Sequence, residues 1–161
     1  MLSSGNFYTN FLTTSPYFRN VTRVADPNYL EPVTRAAVLA IIADAEAEGH
    51  PLILYETYRS PSRQQFLYQQ SVTELMDVGC HGFGLAADLV KDLYGQPSWE
   101  GDFSFLGVLA KKHGLVWGGS WEFMDDFHVQ RIRVSDQDKL LSGTWYPDQN
   151  YRALAEEVPN V

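Results

Sequence analysis

A chain of 161 residues suits one domain built round a single hydrophobic core. Apolar residues make up 45% of it and charged residues 20%, which excludes a disordered chain and fits a packed one. The net charge of −8, with no run of Lys or Arg, excludes the electrostatic footprint of a nucleic-acid binder and predicts long-range repulsion from anionic membranes.

Cys80 is the single cysteine, so no internal disulfide framework forms. The opening MLSSGNFYTNFLTTSPYF lacks a basic stretch followed by an apolar one, so the expectation is synthesis in the cytoplasm without a secretory signal. No apolar run approaches the roughly 20 residues of a membrane span. No repeat or low-complexity tract divides the chain, and a monomer is the default expectation.

Residues 1–30 are polar and aromatic with weak periodicity and read as a lead-in wrapped on the surface. Pro32 suits a first helical turn, and Val33, Ala37, Ala40, Ile41 and Ala45 then recur on one helical face. Gly49 is placed to end that helix. Leu52–Thr57, after Pro51, reads as a strand. Ser60-Pro61 and Ser62-x-x-Gln65 are both helix-start signals, with the helix continuing to Gln70. Gly79, Gly82 and Gly84 mark a loop before a strand at Ala86–Val90. A helix over Phe103–His113 should stop at Gly114, followed by a short strand at Leu115–Trp117. Phe127–Val134 alternates as a strand, and Ser135-x-x-Asp138 and Arg152–Glu157 suggest short helices. Helices first and clustered strands later predict an α+β fold, a single domain with a small, mainly antiparallel sheet flanked by helices.

Of the four histidines, His50 and His113 lie at predicted helix C-termini, where a cation is electrostatically favourable and a structural role suffices. His81 instead opens a glycine-rich loop that ends at Asp88. His128 enters a strand just after Asp125 and Asp126, and period-two alternation sends His128 and Gln130 to the face opposite Phe127 and Val129. Two histidines and one carboxylate are a recognised ligand set for catalytic zinc, with a fourth position left for water. Such chemistry also needs a carboxylate that moves a proton, and Asp125 and Asp126 are both near enough in sequence.

The ordered motifs H-x-x-G-x-A-x-D (His81 to Asp88), W-G-G-x-W (Trp117 to Trp121) and D-x-x-H (Asp125 to His128) resemble the zinc D,D-peptidase superfamily. That group includes VanY-like D-alanyl-D-alanine carboxypeptidases, phage L-alanyl-D-glutamate endopeptidases and the Hedgehog-like zinc fold. Tyr58-Arg59-Ser60, followed by Gln65 and Leu67-Tyr68, matches a further segment, so the likeness spans about residues 52–130. The resemblance implies one zinc ion held by His81, Asp88 and His128, with Asp125 rather than Asp126 as general base. It also implies that Arg59 steadies the oxyanion, while Ser60, Gln65 and Trp121 are candidate substrate contacts. Gln130 is expected to orient His128 from behind the ligand shell. The chain departs from the family at Gly79, where serine is common, and at Val129-Gln130.

The implied function is hydrolysis of peptidoglycan stem peptides, with L-alanyl-D-glutamate endopeptidase preferred to D-alanyl-D-alanine carboxypeptidase. A phage lysis enzyme, or an antibacterial effector with a delivery or immunity protein, would share this sequence pattern. Two other classes compete: a cysteine peptidase using Cys80 and His128, and a zinc-binding interaction domain without catalysis. Asp125 and Arg59 beside a full ligand set favour the zinc enzyme.

Overall fold

The computed structural model describes residues 5–70 and 79–154. A short helix α1 (Phe7–Asn10) and three 3₁₀ turns carry the chain to α2 (Pro32–Ala47). Pro32 fits the first turn of α2, where its missing N–H leaves no bond unmade. The Glu31 carboxylate caps that helix, accepting from the Thr34 amide at 2.7 Å and the Val33 amide at 3.2 Å. This cap also takes the Thr34 hydroxyl at 2.7 Å, so Thr34 turns inward with Val38, Ile41 and Ala45. Val33, expected on the apolar face, is instead exposed, and the buried stripe begins one residue later. Gly49, at φ +85°, ends the helix as expected.

β1 (Leu52–Glu56) is followed by α3 (Pro61–Gln69), a 3₁₀ turn at Cys80–Phe83, and β2 (Ala86–Leu93). β3 (Gln96–Ser98), α4 (Ser104–Lys112), β4 (Val116–Trp117), β5 (His128–Gln130) and α5 (Gln137–Leu141) complete the order. The strands form an antiparallel sheet in the order β1-β2-β5-β4, with β3 paired to β2. Alternation gives the sheet two faces. Leu52, Leu54, Ala87, Leu89 and Val129 pack under α2 and α4 against Val38, Ile41, Leu106 and Leu109. Asp88, His128 and Gln130 stand on the other face, so a dry core on one side holds polar side chains in place on the other.

Three expectations need correction. β3 was not expected: its hairpin turns through Tyr94 (φ 53°) and Gly95 (φ 89°), a left-handed pair usually announced by Asn-Gly. The strand expected over Phe127–Val134 is only His128–Gln130, because the chain bends at Arg131, whose side chain enters the interior. The N-terminal lead-in is more than a surface wrap, since Leu12 and Val24 are buried with Tyr58 in a core of their own. In the segment expected as a helix over Arg152–Glu157, Ala153 and Leu154 form a turn and the remainder lies outside the described residues. Among the described residues no helix is long and apolar enough to cross a membrane.

Arg131 and Glu31 are both buried and pair at 3.0 Å, joining the end of β5 to the cap of α2. Arg131 also donates to the Asp148 carbonyl. Glu31→Ala is expected to cost about 3–5 kcal/mol, because it leaves the Arg131 guanidinium buried without its carboxylate. Denaturant unfolding checks this, and a loss below about 1 kcal/mol would show that the pair contributes little.

Candidate metal and catalytic site

His81 is carried by the Cys80–Phe83 turn, which ends at Gly84 in the left-handed region. A Cβ on Gly84 would meet the Tyr29 carbonyl at 3.1 Å, so both its backbone angle and its crowding call for glycine. The His81 ring sits against β1's continuation, with Nδ1 2.9 Å from the Thr57 carbonyl. A carbonyl only accepts, so Nδ1 carries the proton and the Nε2 lone pair points at Asp88 Oδ1, 3.2 Å away.

Asp88 in β2 lies directly opposite His128 in β5, and directly opposed residues share a face of the sheet. His128 Nδ1 is 3.4 Å from the same Asp88 oxygen. Its other nitrogen, Nε2, is 2.8 Å from Gln130 Oε1. Gln130 has no freedom to present its NH2 there instead. That group already donates to the Ile132 carbonyl at 2.7 Å and to Gln137 Oε1 at 3.0 Å. Gln130 therefore holds His128 in the tautomer whose Nδ1 lone pair faces Asp88.

The ligand atoms of His81, Asp88 and His128 all lie within 4.8 Å of one another. Three lone-pair atoms facing one another, with no donor of their own between them, call for a cation. Tetrahedral coordination at zinc distances places ligand atoms about 3.3 Å apart, and the two separations to Asp88 are 3.2 and 3.4 Å. Burial alone would raise the Asp88 carboxyl, but the His81 and His128 rings, when protonated toward it, pull it well below the usual carboxylate range. The trio can hold a metal ion.

Asp125 approaches from the loop between β4 and β5, with Oδ2 3.8 Å from His128 Nδ1. Its amide donates to the Gly118 carbonyl at 3.0 Å, and a Cβ on Gly118 would strike the Asp125 carbonyl oxygen at 2.6 Å. The W-G-G motif therefore lets this loop lie close to the site. Burial raises the Asp125 carboxyl above its ordinary value; Asp88 adds to the shift, while His128, His81 and Arg59 oppose it. Its side chain still keeps 41% of its surface exposed, so it faces both the trio and the solvent. Asp126 contributes its carbonyl, which accepts the Trp117 indole N–H at 2.6 Å. The Trp121 ring stands 5.3 Å from that of His128 and walls the site on that side.

Arg59 reaches the second oxygen of Asp88, with Nη2 3.4 Å from Oδ2, and pairs with Glu56 at 3.0 Å. Its backbone amide donates to the His81 carbonyl, tying the two segments together. Glu56 was not singled out from the sequence. It lies opposite Asp88 in the sheet and also pairs with Arg63. A lone carboxylate closing an otherwise apolar-aromatic strand was the available signal. Burial would raise Glu56, but Arg59 and Arg63 hold it below its ordinary value.

Ser60 and Gln65 belong to the start of α3. Ser60 is buried as the cap of α3: its hydroxyl accepts from the Arg63 amide at 3.0 Å and donates to the Asn20 carbonyl. Gln65, in the first half of α3, is exposed. Gln64 turns inward and accepts from Arg59 Nη1 at 3.2 Å. Cys80 is buried, with Sγ 3.7 Å from Gln137 Oε1, and burial pushes its thiol up to about 12. That thiol is protonated at neutral pH and lies in a core cluster with Phe83, Leu85, Ala86 and Ile132, which leaves the cysteine-peptidase alternative without an activated nucleophile. His50 stacks on Phe105, and His113 pairs with Asp44 at 2.8 Å, both in structural roles.

The sheet and its flanking helices share the fold of solved peptidases that act on peptidoglycan or its precursors. The chain superposes on the Serratia marcescens L-Ala D-Glu endopeptidase ChiX with a TM-score of 0.56 at 21% identity, covering 69% of this chain and 90% of that one. Against a vancomycin-resistance D,D-pentapeptidase VanY in complex with Zn(II) the TM-score is 0.52 at 15% identity, covering 79% and 87%. A family model described as D-alanyl-D-alanine carboxypeptidase matches residues 78–131. The peptidoglycan L-alanyl-D-glutamate endopeptidase CwlK of Bacillus subtilis is 27% identical over 126 residues, which span 66% of this chain and 75% of CwlK. The L-alanyl-D-glutamate peptidase of Listeria phage A118 is 29% identical over 124 residues, 74% of this chain but 43% of the phage protein. The likeness to the zinc D,D-peptidase superfamily seen in the ordered motifs is thus borne out.

Proposed function

We propose that this chain is a zinc peptidase that hydrolyses peptide bonds in peptidoglycan stem peptides, most consistently as an L-alanyl-D-glutamate endopeptidase. The observation that carries this reading is the convergence of His81, Asp88 and His128, with Asp125 beside His128 and open to solvent. The curated relatives named for L-alanyl-D-glutamate cleavage favour the endopeptidase over the carboxypeptidase. The family model, described by carboxypeptidase activity, keeps the second bond in view. Residues 52–130 form the motif-bearing core of one peptidase domain.

His81 Nε2, Asp88 Oδ1 and His128 Nδ1 would hold a single zinc ion. When bound, zinc supplies a Lewis acid that polarises a peptide carbonyl and acidifies water. Asp125 takes a proton from the attacking water and returns it to the leaving amine, a task suited to a carboxyl raised above its ordinary value. Arg59, fixed by Glu56 and Gln64, keeps Asp88 in place and sets a guanidinium beside the position where negative charge grows. Trp121 bounds the peptide on the His128 side, and Gln130 holds the His128 tautomer. Ser60 supports this arrangement as the cap of α3, and the exposed side chain of Gln65 is free to meet substrate.

Mass spectrometry of purified peptidoglycan digested with the zinc-loaded protein tests the reading. The expected product is a fragment with a new D-glutamyl N-terminus. Release of free D-alanine instead would establish the carboxypeptidase reaction, and the absence of any new end would remove the peptidase reading.

A further inference from the structure

The polar face of the sheet continues past the ligand trio. Along β2, Asp88 and Val90 point to the same side, about 7 Å apart at strand spacing. Val90 is fully buried yet stands outside the core under α2 and α4. Ile53 is its direct partner in β1, and two aromatic residues lie next to this pair in the chain or the sheet. Tyr55 is the extra residue of an irregularity in β1, between the pairs Leu54–Leu89 and Glu56–Asp88. Trp99 directly follows β3, whose Ser98 pairs with Lys91. β1 and β3 flank β2 on opposite sides, since Lys91 also pairs with Leu52. The two rings nevertheless meet edge to face with centroids 5.0 Å apart, so they arch over β2 at Val90. They form a ledge one side-chain step from Asp88, and Trp99 remains 43% exposed.

Arg23 extends this ledge. Its guanidinium carbon lies 4.1 Å from the centre of the Tyr55 ring, and Nη1 donates to the Tyr55 carbonyl at 2.5 Å. The side chain is exposed, and among the described residues it forms no ion pair. A guanidinium stacked on a ring and tied to a carbonyl is fixed in place, with donors left over for an anion.

We propose that Arg23, Tyr55 and Trp99 form a substrate subsite that takes a residue with a free carboxylate next to the peptide bond to be cut. The carboxylate pairs with Arg23, and the aliphatic part of the same residue lies on the two rings. This rests on the peptidase reading for the nature of the ligand, and its geometry is independent of turnover.

The probes are L-alanyl-γ-D-glutamyl-L-lysine and the same peptide with its glutamyl α-carboxylate converted to the carboxamide. Binding is measured by calorimetry on zinc-loaded protein carrying Asp125→Ala, so that the peptide is not consumed. The acid is expected to bind about tenfold more tightly than the amide, the scale of one charge-assisted contact. Arg23→Gln should bring that ratio to about one while leaving amide binding unchanged, and Trp99→Ala should weaken both peptides alike. Equal binding of acid and amide, or a ratio that survives Arg23→Gln, overturns the subsite. Hydrolysis by protein that retains Asp125 is scored separately. Preferential binding of the acid with neither peptide cut would remove the L-alanyl-D-glutamate endopeptidase reading and leave the subsite standing.

Discussion

Asp125→Ala is expected to lower kcat by about 10²–10⁴-fold, the usual contribution of a positioned general base, while one zinc per chain stays bound. The two effects separate because Asp125 Oδ2 stands 3.8 Å from His128 Nδ1, whereas Asp88 is the carboxylate that both histidines address. Removing Asp125 leaves all three ligand atoms and their anchors in place: Thr57 behind His81, Gln130 behind His128 and Arg59 behind Asp88. Elemental analysis with single-turnover hydrolysis provides the check. Full activity in the variant would assign the proton transfer elsewhere, with Asp126 as the next carboxylate to replace.

His128→Ala should abolish both metal binding and hydrolysis. A site with two ligands left gives up the tight coordination of three, and Asp88 then faces His81 alone. The same variant is expected to disturb the fold little, because β5 stays in the sheet through Val129 and through its pairing with Ala86 and Ala87. Zinc content after dialysis, together with the circular dichroism spectrum, decides this. Stoichiometric zinc in a folded variant would mean that His128 is no ligand.

Much of this site was legible because its residues come in ordered motifs, and the same motifs supply the local geometry that makes them meet. Gly84 and Gly118 stand where the backbone leaves no room for a side chain, and each lies inside a motif carrying a site residue. Less legible were details that depend on helix phase or on distant partners. The inward turn of Gln64 toward Arg59 is one such detail, since the polar run Arg63–Gln70 shows no apolar face that would fix the helix phase. Nothing local to Arg131 announces that its partner is Glu31, on the far side of the chain. The Tyr94-Gly95 turn hid β3, and with it the place of Trp99, because a bulky residue at positive φ is an unusual hairpin signal. The fold class survived these misses because alternation in β2 and the periodic face of α2 already required a sheet with helices against it.

Thr57 gives the N-terminal segment a stake in the proposed metal site. Its amide donates to the Val24 carbonyl at 2.7 Å, and its hydroxyl reaches the carbonyls of Val24 and Asp26. Its own carbonyl is the acceptor that orients His81. Residues 24–26 thus act as a backstop for an imidazole that follows them by more than fifty positions. Undocking this stretch would leave His81, Asp88 and His128 in the chain yet blunt the aim of His81, so on the proposed zinc assignment metal affinity doubles as a gauge of how firmly the N-terminal strap is seated.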